Sequence, residues 1–173
     1  MNVDIIVIGG GHAGCEAAFA ASRFKKKVLL VTHDVSTIGQ MSCNPAIGGL
    51  GKSHLVREID AMGGLMASSA DKAGIHFRVL NASKGPAVRA TRAQSDRKLY
   101  AQHVKEFIES ERLLTIVESE VYELLLESYK VNGVILKNNK EVRSDKVILT
   151  AGTFLNGKLF TGCLLYTSDA ADD

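Results

Sequence analysis

A glycine-rich turn joins an apolar segment to an alanine-rich one near the start of this chain, and few folds accommodate that junction. Residues 3–8 are apolar at nearly every position, which is typical of a parallel strand covered on both faces. After the turn, residues 13–22 are rich in Ala and free of Pro, so they favour a helix. A second apolar strand follows over residues 28–32, and the segments together predict a β-α-β unit of about thirty residues.

Three glycines in the turn have the spacing of the dinucleotide fingerprint G-x-G-x-x-G. Gly9 permits a tight turn, Gly11 lets the backbone approach a pyrophosphate, and Gly14 lets the helix pack close to the strand. The helix N-terminus presents free N–H groups and a partial positive charge to phosphates. We therefore predict a dinucleotide site, the alternative being glycines that only form a turn.

The residue that binds the ribose is less certain from the sequence. An acidic residue is expected about 20 positions beyond the glycines, where the chain has Thr32-His33-Asp34. Asp34 is one step late, and His33 in that place makes ribose recognition unusual. This position therefore leaves FAD and NAD both open. His12 is expected to be a neighbour in the turn and Cys15 a packed helix residue.

A second glycine-rich segment, residues 48–53, imitates part of a Walker A loop. That motif requires Gly where this chain has Ala46, and no apolar strand is evident before it, so a nucleoside triphosphatase is disfavoured. We expect these glycines to let the backbone lie against a planar or phosphorylated ligand held by the first loop. Cys43 precedes an Asn-Pro pair on an expected loop, and it is either a reactive thiol or a small packed residue.

Residues 78–98 carry six basic residues and one acid, an excess that the net charge of +2 for the whole chain conceals. A solvated helix face is one interpretation. The other is that Lys84, Arg89 and Arg92 bind an anionic substrate or a cofactor phosphate, and the sequence leaves both open. Aromatic residues are absent between Arg78 and Lys98, so base stacking is disfavoured.

The second half of the chain indicates the fold class. Residues 54–66 predict a helix that ends at Gly63-Gly64, and residues 100–113 predict another. Strands are expected over residues 114–117, 121–126, 131–137 and 146–150. This order predicts an α/β fold with a parallel sheet plus a β-meander, and it resembles the Rossmann-like FAD-binding domain of two-dinucleotide flavoproteins. Domains that bind only NAD usually repeat the β-α-β unit throughout.

Composition restricts the class of protein further. With 173 residues, 46% of them hydrophobic and 23% charged, the chain is expected to be one soluble globular domain. An apolar run of about 18 residues is missing, so no membrane span is expected. The cysteines at positions 15, 43 and 163 have no paired spacing. We therefore expect neither disulfides nor a metal site, and a cytoplasmic location.

Three strings are more specific than the generic fingerprint: Gly9-Gly10-Gly11-His12-Ala13-Gly14, residues 39–49 (GQMSCNPAIGG) and residues 81–94 (NASKGPAVRATRAQ). They resemble the N-terminal part of the MnmG (GidA) family, flavoproteins of tRNA wobble-uridine modification. The resemblance implies that FAD is held by Gly9, Gly10, Gly11, His12, Ala13 and Gly14. It also implies a backbone contact from Val121 to the adenine side of FAD and a catalytic thiol at Cys43.

The same resemblance implies a reaction and its partners. The full-length family enzyme is expected to be a homodimer that acts with the GTPase MnmE on U34 of tRNA. It installs a carboxymethylaminomethyl group at C5, with methylenetetrahydrofolate supplying carbon, glycine the amine and NADH the electrons. Arg89 and Arg92 are then expected near the flavin and the substrate pocket.

The family's chains are several times longer, so residues 1–162 are expected to be a partial FAD-binding domain that binds FAD poorly and is inactive alone. Residues 163–173 resemble a translated sequencing adapter and are expected to be an unrelated tail. Two alternatives are a small-molecule FAD/NAD(P)H oxidoreductase and the paralogous folate-dependent tRNA methyltransferase. The Cys43-Asn44-Pro45 and Lys84-Gly85-Pro86 strings favour the first assignment over the paralogue.

Overall fold

The computed structural model describes residues 3–41 and 44–155, together with the backbone of residues 158–161 and 164–167. In chain order the elements are β1 (Ile5–Ile8), α1 (His12–Arg23), β2 (Val28–Thr32), β3 (Ala46–Gly48), α2 (Lys52–Ala61), α3 (Met66–Ala73), β4 (Gly74–Leu80), β5 (Ala90–Ser95), α4 (Arg97–Ser110), β6 (Leu114–Glu118), β7 (Val121–Glu127), β8 (Lys130–Leu136), β9 (Glu141–Arg143), β10 (Val147–Leu149), β11 (Lys158–Thr161) and β12 (Leu164–Thr167). The described strands form a parallel sheet in the order β10-β1-β2-β6, the antiparallel sheets β3-β5-β4 and β7-β8-β9, and the pair β11-β12.

The parallel sheet lies between two layers, which explains why its strands are apolar on both faces. Val7 and Leu30 face the helices α1, α3 and α4, whereas Ile6 and Leu29 face the meander β7-β8-β9. Strand β2 is buried at all five positions. Because adjacent residues of a strand point to opposite faces, one apolar run contributes to both cores. The predicted α/β fold with a parallel sheet plus a β-meander is confirmed.

The first β-α-β unit follows the sequence prediction closely, with β1 beginning at Ile5 rather than at residue 3. Helix α4 begins at Arg97, three residues before the predicted start. Asp96 sets that start, because its side chain accepts a hydrogen bond from the Leu99 backbone N–H at 2.9 Å. The short strand β9 was not predicted, and Asn139 adopts φ 60° in the turn before it.

The helix predicted over residues 54–66 corresponds to α2, which ends just before the predicted glycine stop, and a helix that was not predicted, α3, follows it. Gly63 adopts φ +80°, which an L side chain rarely does. The N-terminus of helix α3 is stabilised by a residue that is distant in the sequence. The two carboxylate oxygens of Glu16 on α1 accept hydrogen bonds from the backbone N–H groups of Leu65 at 3.1 Å and Met66 at 2.7 Å.

The basic segment is a β-hairpin, so its interpretation as a helix face is wrong over residues 78–95. Strands β4 and β5 pair in antiparallel register from Gly74↔Ser95 to Leu80↔Ala90. The sequence alternates with period two along β4, where His76 and Arg78 are polar and Phe77 and Val79 apolar. Period two is typical of a strand, and the number of charges obscured it.

Toward the end of the chain, β12 pairs antiparallel with β11. Strand β12 falls within the predicted tail, and residues 168–173 lie outside the described part, so the origin of that tail stays a prediction. Among the helices that the structure describes, none has both the length and the apolar character needed to cross a membrane.

Candidate dinucleotide site

The first glycine-rich loop leaves the carboxyl end of β1 in a tight turn. Gly9 adopts φ +110°, and a Cβ there would lie 2.5 Å from the carbonyl oxygen of Thr150. A Cβ on Gly14 would overlap the carbonyl oxygen of Gly9 itself. Glycine is therefore required at both positions by backbone contacts. The predicted turn and the close packing of helix on strand are both present.

Gly11 has the opposite surroundings, because a Cβ there would have no atom within 4 Å. It is the N-cap residue of α1 in an ordinary extended conformation, with φ −72° and ψ −176°. No side chain caps this end of the helix, and its first turn holds no acidic residue. The open space at Gly11 thus adjoins uncapped N–H groups and a positive helix end, which suits a phosphate.

Hydrogen bonds hold this loop in place. The Gly10 carbonyl oxygen accepts from the Gly39 backbone N–H at 3.0 Å and from the Cys15 thiol at 3.2 Å. The Thr150 hydroxyl donates to the Ile8 carbonyl oxygen at 2.7 Å. Burial raises the pKa of Cys15 to about 12, so its thiol stays a protonated donor. Sequence reasoning missed Thr150 as a brace of this loop, because its contact is with a strand more than 140 residues away.

The ends of β2 and β6 meet at the same edge of the sheet. Asp34 accepts a hydrogen bond from the Ser36 backbone N–H at 2.7 Å, and the bonds from Ser36 lower the pKa of its carboxyl. Glu118 accepts from the Val35 backbone N–H at 3.0 Å. His33 is exposed, with its ring centroid 5.4 Å from that of Phe154. Both candidates for the ribose, Asp34 and His33, directly follow β2 at this edge.

His12 begins α1 and contacts Tyr100 of α4, with ring centroids 5.5 Å apart. Burial first, and the charge of Lys52 second, lower the pKa of His12, so its imidazole is neutral at pH 7. Its Nε2 and the Tyr100 hydroxyl are both buried and form no hydrogen bond within the described residues. The first loop and the second glycine-rich segment, which carries Lys52, are therefore close enough to interact electrostatically.

The second glycine-rich segment does follow a strand, which corrects one premise of the sequence argument. The strand, β3, has only three residues and belongs to an antiparallel sheet, not to the parallel sheet from which a Walker A loop arises. Gly49 and Gly51 adopt φ +104° and +73°. Lys52 opens α2, and its ammonium group donates to the Ala46 carbonyl oxygen at 3.4 Å. This topology disfavours a Walker A loop.

The predicted basic residues separate into two places on the β4–β5 hairpin. Lys84 and Arg89 lie in the exposed loop between the strands. Arg92 lies on β5, and its Nη2 donates to the Asn44 side-chain oxygen at 3.0 Å. Cys43, the predicted thiol, lies outside the described residues, next to Asn44. Val121 opens β7 opposite Leu136, half-buried against the core beneath the meander.

Two cavities are lined by residues outside the first glycine-rich loop. One of about 1000 Å³ is at the amino ends of the parallel strands, between Asp4, Lys27 and Arg143, away from the glycine loop. Another of about 400 Å³ lies between α2, α3 and the β3-β5-β4 sheet. Over residues 3–41 and 44–155, no group of three or more His, Cys, Asp or Glu side chains is arranged to hold a metal ion.

The fold and the loop together define a dinucleotide-binding α/β domain of the kind found in flavoproteins. The model of the family described as "Glucose inhibited division protein A" matches residues 4–171. The chain belongs to this GidA family. Because that match reaches beyond residue 162, it includes most of the predicted tail.

Solved structures agree with the family assignment. Aquifex aeolicus GidA is 44% identical in its form I crystal, with a TM-score of 0.89 over 96% of this chain and 28% of that one. In form II the identity is 45% and the TM-score 0.87, over 95% and 27%. This chain thus spans little more than a quarter of the GidA chains it matches.

More distant structures share the fold alone. A GidA-related protein from Thermus thermophilus is 21% identical, with a TM-score of 0.64 over 94% of this chain and 58% of its own. PqsL, described as a probable FAD-dependent monooxygenase from Pseudomonas aeruginosa, is 18% identical, with a TM-score of 0.62 over 85% and 42%.

Proposed function

We propose that this chain is the flavin-binding segment of an enzyme that modifies the wobble uridine of tRNA. The observation that carries the proposal is the GidA family match over residues 4–171 on a chain whose first helix has an open, uncapped N-terminus. A small-molecule FAD/NAD(P)H oxidoreductase is the second candidate, because PqsL shares the fold. The folate-dependent methyltransferase paralogue is a third.

FAD is the dinucleotide we assign to the loop. Its pyrophosphate would lie at Gly11, where the chain leaves room for it, with the backbone N–H groups of His12 and Ala13 as donors. Gly9, Gly10 and Gly14 would hold those donors in position, and Val121 would contact the adenine side through its backbone. When bound, FAD supplies two-electron redox chemistry. Burial lowers the pKa of His12, so the helix end is the main source of positive charge that we assign to the phosphate.

Cys43 is the proposed catalytic thiol, and its place beside Asn44 puts it in sequence next to the partner of Arg92. NADH, methylenetetrahydrofolate and glycine would be co-substrates of the full-length gene product. The proposed partners are tRNA, the GTPase MnmE and a second copy of the enzyme, in the cytoplasm. Residues 1–162 alone are proposed to be inactive, since they correspond to a minor part of the GidA chains.

The experiment that tests this function is an analysis of tRNA nucleosides by mass spectrometry. Cells lacking the gene are supplied with the full-length gene product or with its Cys43→Ser variant. We expect the wild-type protein to restore the modified wobble uridine. The variant should retain flavin absorbance but restore less than about one hundredth of the modification, because it lacks the nucleophile. An unmodified wobble uridine in cells supplied with wild-type protein would contradict the proposal.

A further inference from the structure

The β4–β5 hairpin carries positive charge without compensation. Residues 74–95 contain Arg78, Lys84, Arg89 and Arg92, and no Asp or Glu. The ion pairs in the described part of the chain involve none of these four residues. Elsewhere in the described residues Lys105, Lys137 and Arg143 form ion pairs, for example Lys137 with Glu120 at 2.8 Å. The hairpin therefore carries a local excess of positive charge that is available to an anion.

Two of these cations lie side by side. Arg78 on β4 and Arg92 on β5 are directly opposite each other in the antiparallel register, so their side chains share one face of the sheet. Like charges placed directly opposite destabilise a sheet unless something lies between them. On the third strand the same row continues with Gly48, which has no side chain to cover the two guanidinium groups.

The rest of that face is mixed, because apolar Leu80 and Ala90 lie on one side of the arginine pair and a largely polar row lies on the other. The neighbouring row consists of His76 and Gln94 with Ala46, whereas the alternate positions Phe77 and Ala93 lie on the opposite face with Ile47. Ile47 belongs to the core beneath α2 and α3. The sheet therefore directs Ile47 toward those helices and places His76, Gln94 and the two arginines on its other face.

The guanidinium group of Arg92 is oriented by a hydrogen bond to a neighbouring side chain. Its Nη2 donates to the Asn44 side-chain oxygen at 3.0 Å, which orients the guanidinium plane and leaves its other N–H donors for a second partner. Guanidinium groups recognise phosphate oxygens in a bidentate manner. The absence of aromatic side chains between Arg78 and Lys98 disfavours base stacking. These features suit the sugar–phosphate backbone of a nucleic acid rather than its bases.

We propose that Arg78 and Arg92 form a two-arginine phosphate site, and that a backbone phosphate of the tRNA substrate occupies it. This inference rests on the proposed function, because it assigns part of the surface of that enzyme to its substrate. A cofactor phosphate has the same chemistry, and the experiment below separates the two sources.

The test measures tRNA affinity of the full-length gene product as a function of salt concentration. The variants are Arg78→Gln, Arg92→Gln and the double variant, and the control is Lys140→Gln, which removes an equal charge from the exposed turn of the meander. FAD content is measured on each preparation by absorbance. Removal of one phosphate contact is expected to lower the slope of log affinity against log salt by about 0.7 to 0.9. The double variant should lose about ten-fold in affinity at low salt, with wild-type FAD content.

Several outcomes contradict the inference. An unchanged salt slope in the double variant makes the arginines a solvated surface, and loss of FAD with unchanged tRNA affinity makes them a cofactor site. If Arg92→Gln fails to fold because the Asn44 bond is lost, Arg78→Gln alone decides, since its side chain forms no hydrogen bond in the described part of the chain. Wild-type protein that binds neither FAD nor tRNA contradicts the proposed function itself, whereas normal wild-type binding with unaffected variants contradicts only the arginine site.

Discussion

Gly14 on α1 contacts the carbonyl oxygen of Gly9 so closely that a single methyl group on Gly14 would overlap it. Both atoms belong to the backbone, and hydrogen bonds to Gly10 and from Thr150 hold the loop on either side. These contacts therefore restrict movement of α1 relative to β1. This contact sets the distance between α1 and β1, and with it the position of the uncapped N–H groups.

Substitution of Gly14 by Ala is consequently expected to destabilise the fold by about 1–3 kcal/mol, the usual cost of overpacking a tight contact. Thermal unfolding of the full-length gene product, followed by circular dichroism, measures the effect. Gly85→Ala is the control, because a Cβ at Gly85 meets no atom within 4 Å. Equal melting temperatures for the two variants would show that the close approach of helix and strand is relieved without cost.

Tyr100 buries a hydroxyl group that forms no hydrogen bond in the described residues. An unsatisfied buried hydroxyl costs free energy, so Tyr100→Phe is expected to leave stability unchanged or to raise it by about 1 kcal/mol. Tyr100→Ala should instead destabilise by about 3–5 kcal/mol through the cavity it creates. Chemical unfolding of the three proteins measures both effects. A loss of more than about 1 kcal/mol in the Phe variant would reveal a hydrogen-bond partner such as a buried water.

The thiol of Cys15 ionises less readily in the folded chain, because burial raises its pKa from 9.0 to about 12. Between these values the unfolded chain loses the proton first. The native state then binds more protons, so this contribution to stability is complete below about pH 9 and declines as pH rises toward 12. Cys15→Ala should remove that part of the decline when unfolding is compared at pH 8, 9 and 10. An identical pH dependence in the two proteins would contradict the assignment.

The same burial predicts that Cys15 resists alkylation. Native protein treated with iodoacetamide at pH 8 should show no label on Cys15 by peptide mass spectrometry, since the thiolate is the reactive form. Unfolding in urea should expose it to full labelling. Rapid labelling of Cys15 in the native protein would mean that the loop opens and exposes the thiol on the timescale of the reaction.

The local patterns predicted those elements whose causes are themselves local. The apolar runs, the glycine spacing from Gly9 to Gly14 and the stop at Gly63 determine the β-α-β unit and the end of α2 within a few residues. Helix α3 was missed because its N-terminus depends on Glu16, 49 residues away from Leu65. No pattern near residue 65 carries that information.

The β4–β5 hairpin was missed by the sequence prediction for a different reason. The six basic residues over positions 78–98 drew attention to charge, whereas the alternation of His76, Phe77, Arg78 and Val79 was the signal for a strand. That Arg78 and Arg92 face each other follows only from the pairing of β4 with β5. Register depends on turn geometry and on the buried face, so it is accessible only once both strands are known.

We propose that the backbone N–H groups after β1 bind the pyrophosphate of FAD at Gly11. The most direct measurement is the flavin absorbance of the purified full-length gene product carrying Gly11→Val, beside Gly85→Val. The two glycines are matched, because both have open space around a Cβ and both adopt ordinary negative φ angles, −72° and −63°. We expect Gly11→Val to be folded and colourless and Gly85→Val to be as yellow as the wild type. Full flavin occupancy in folded Gly11→Val protein would contradict the account.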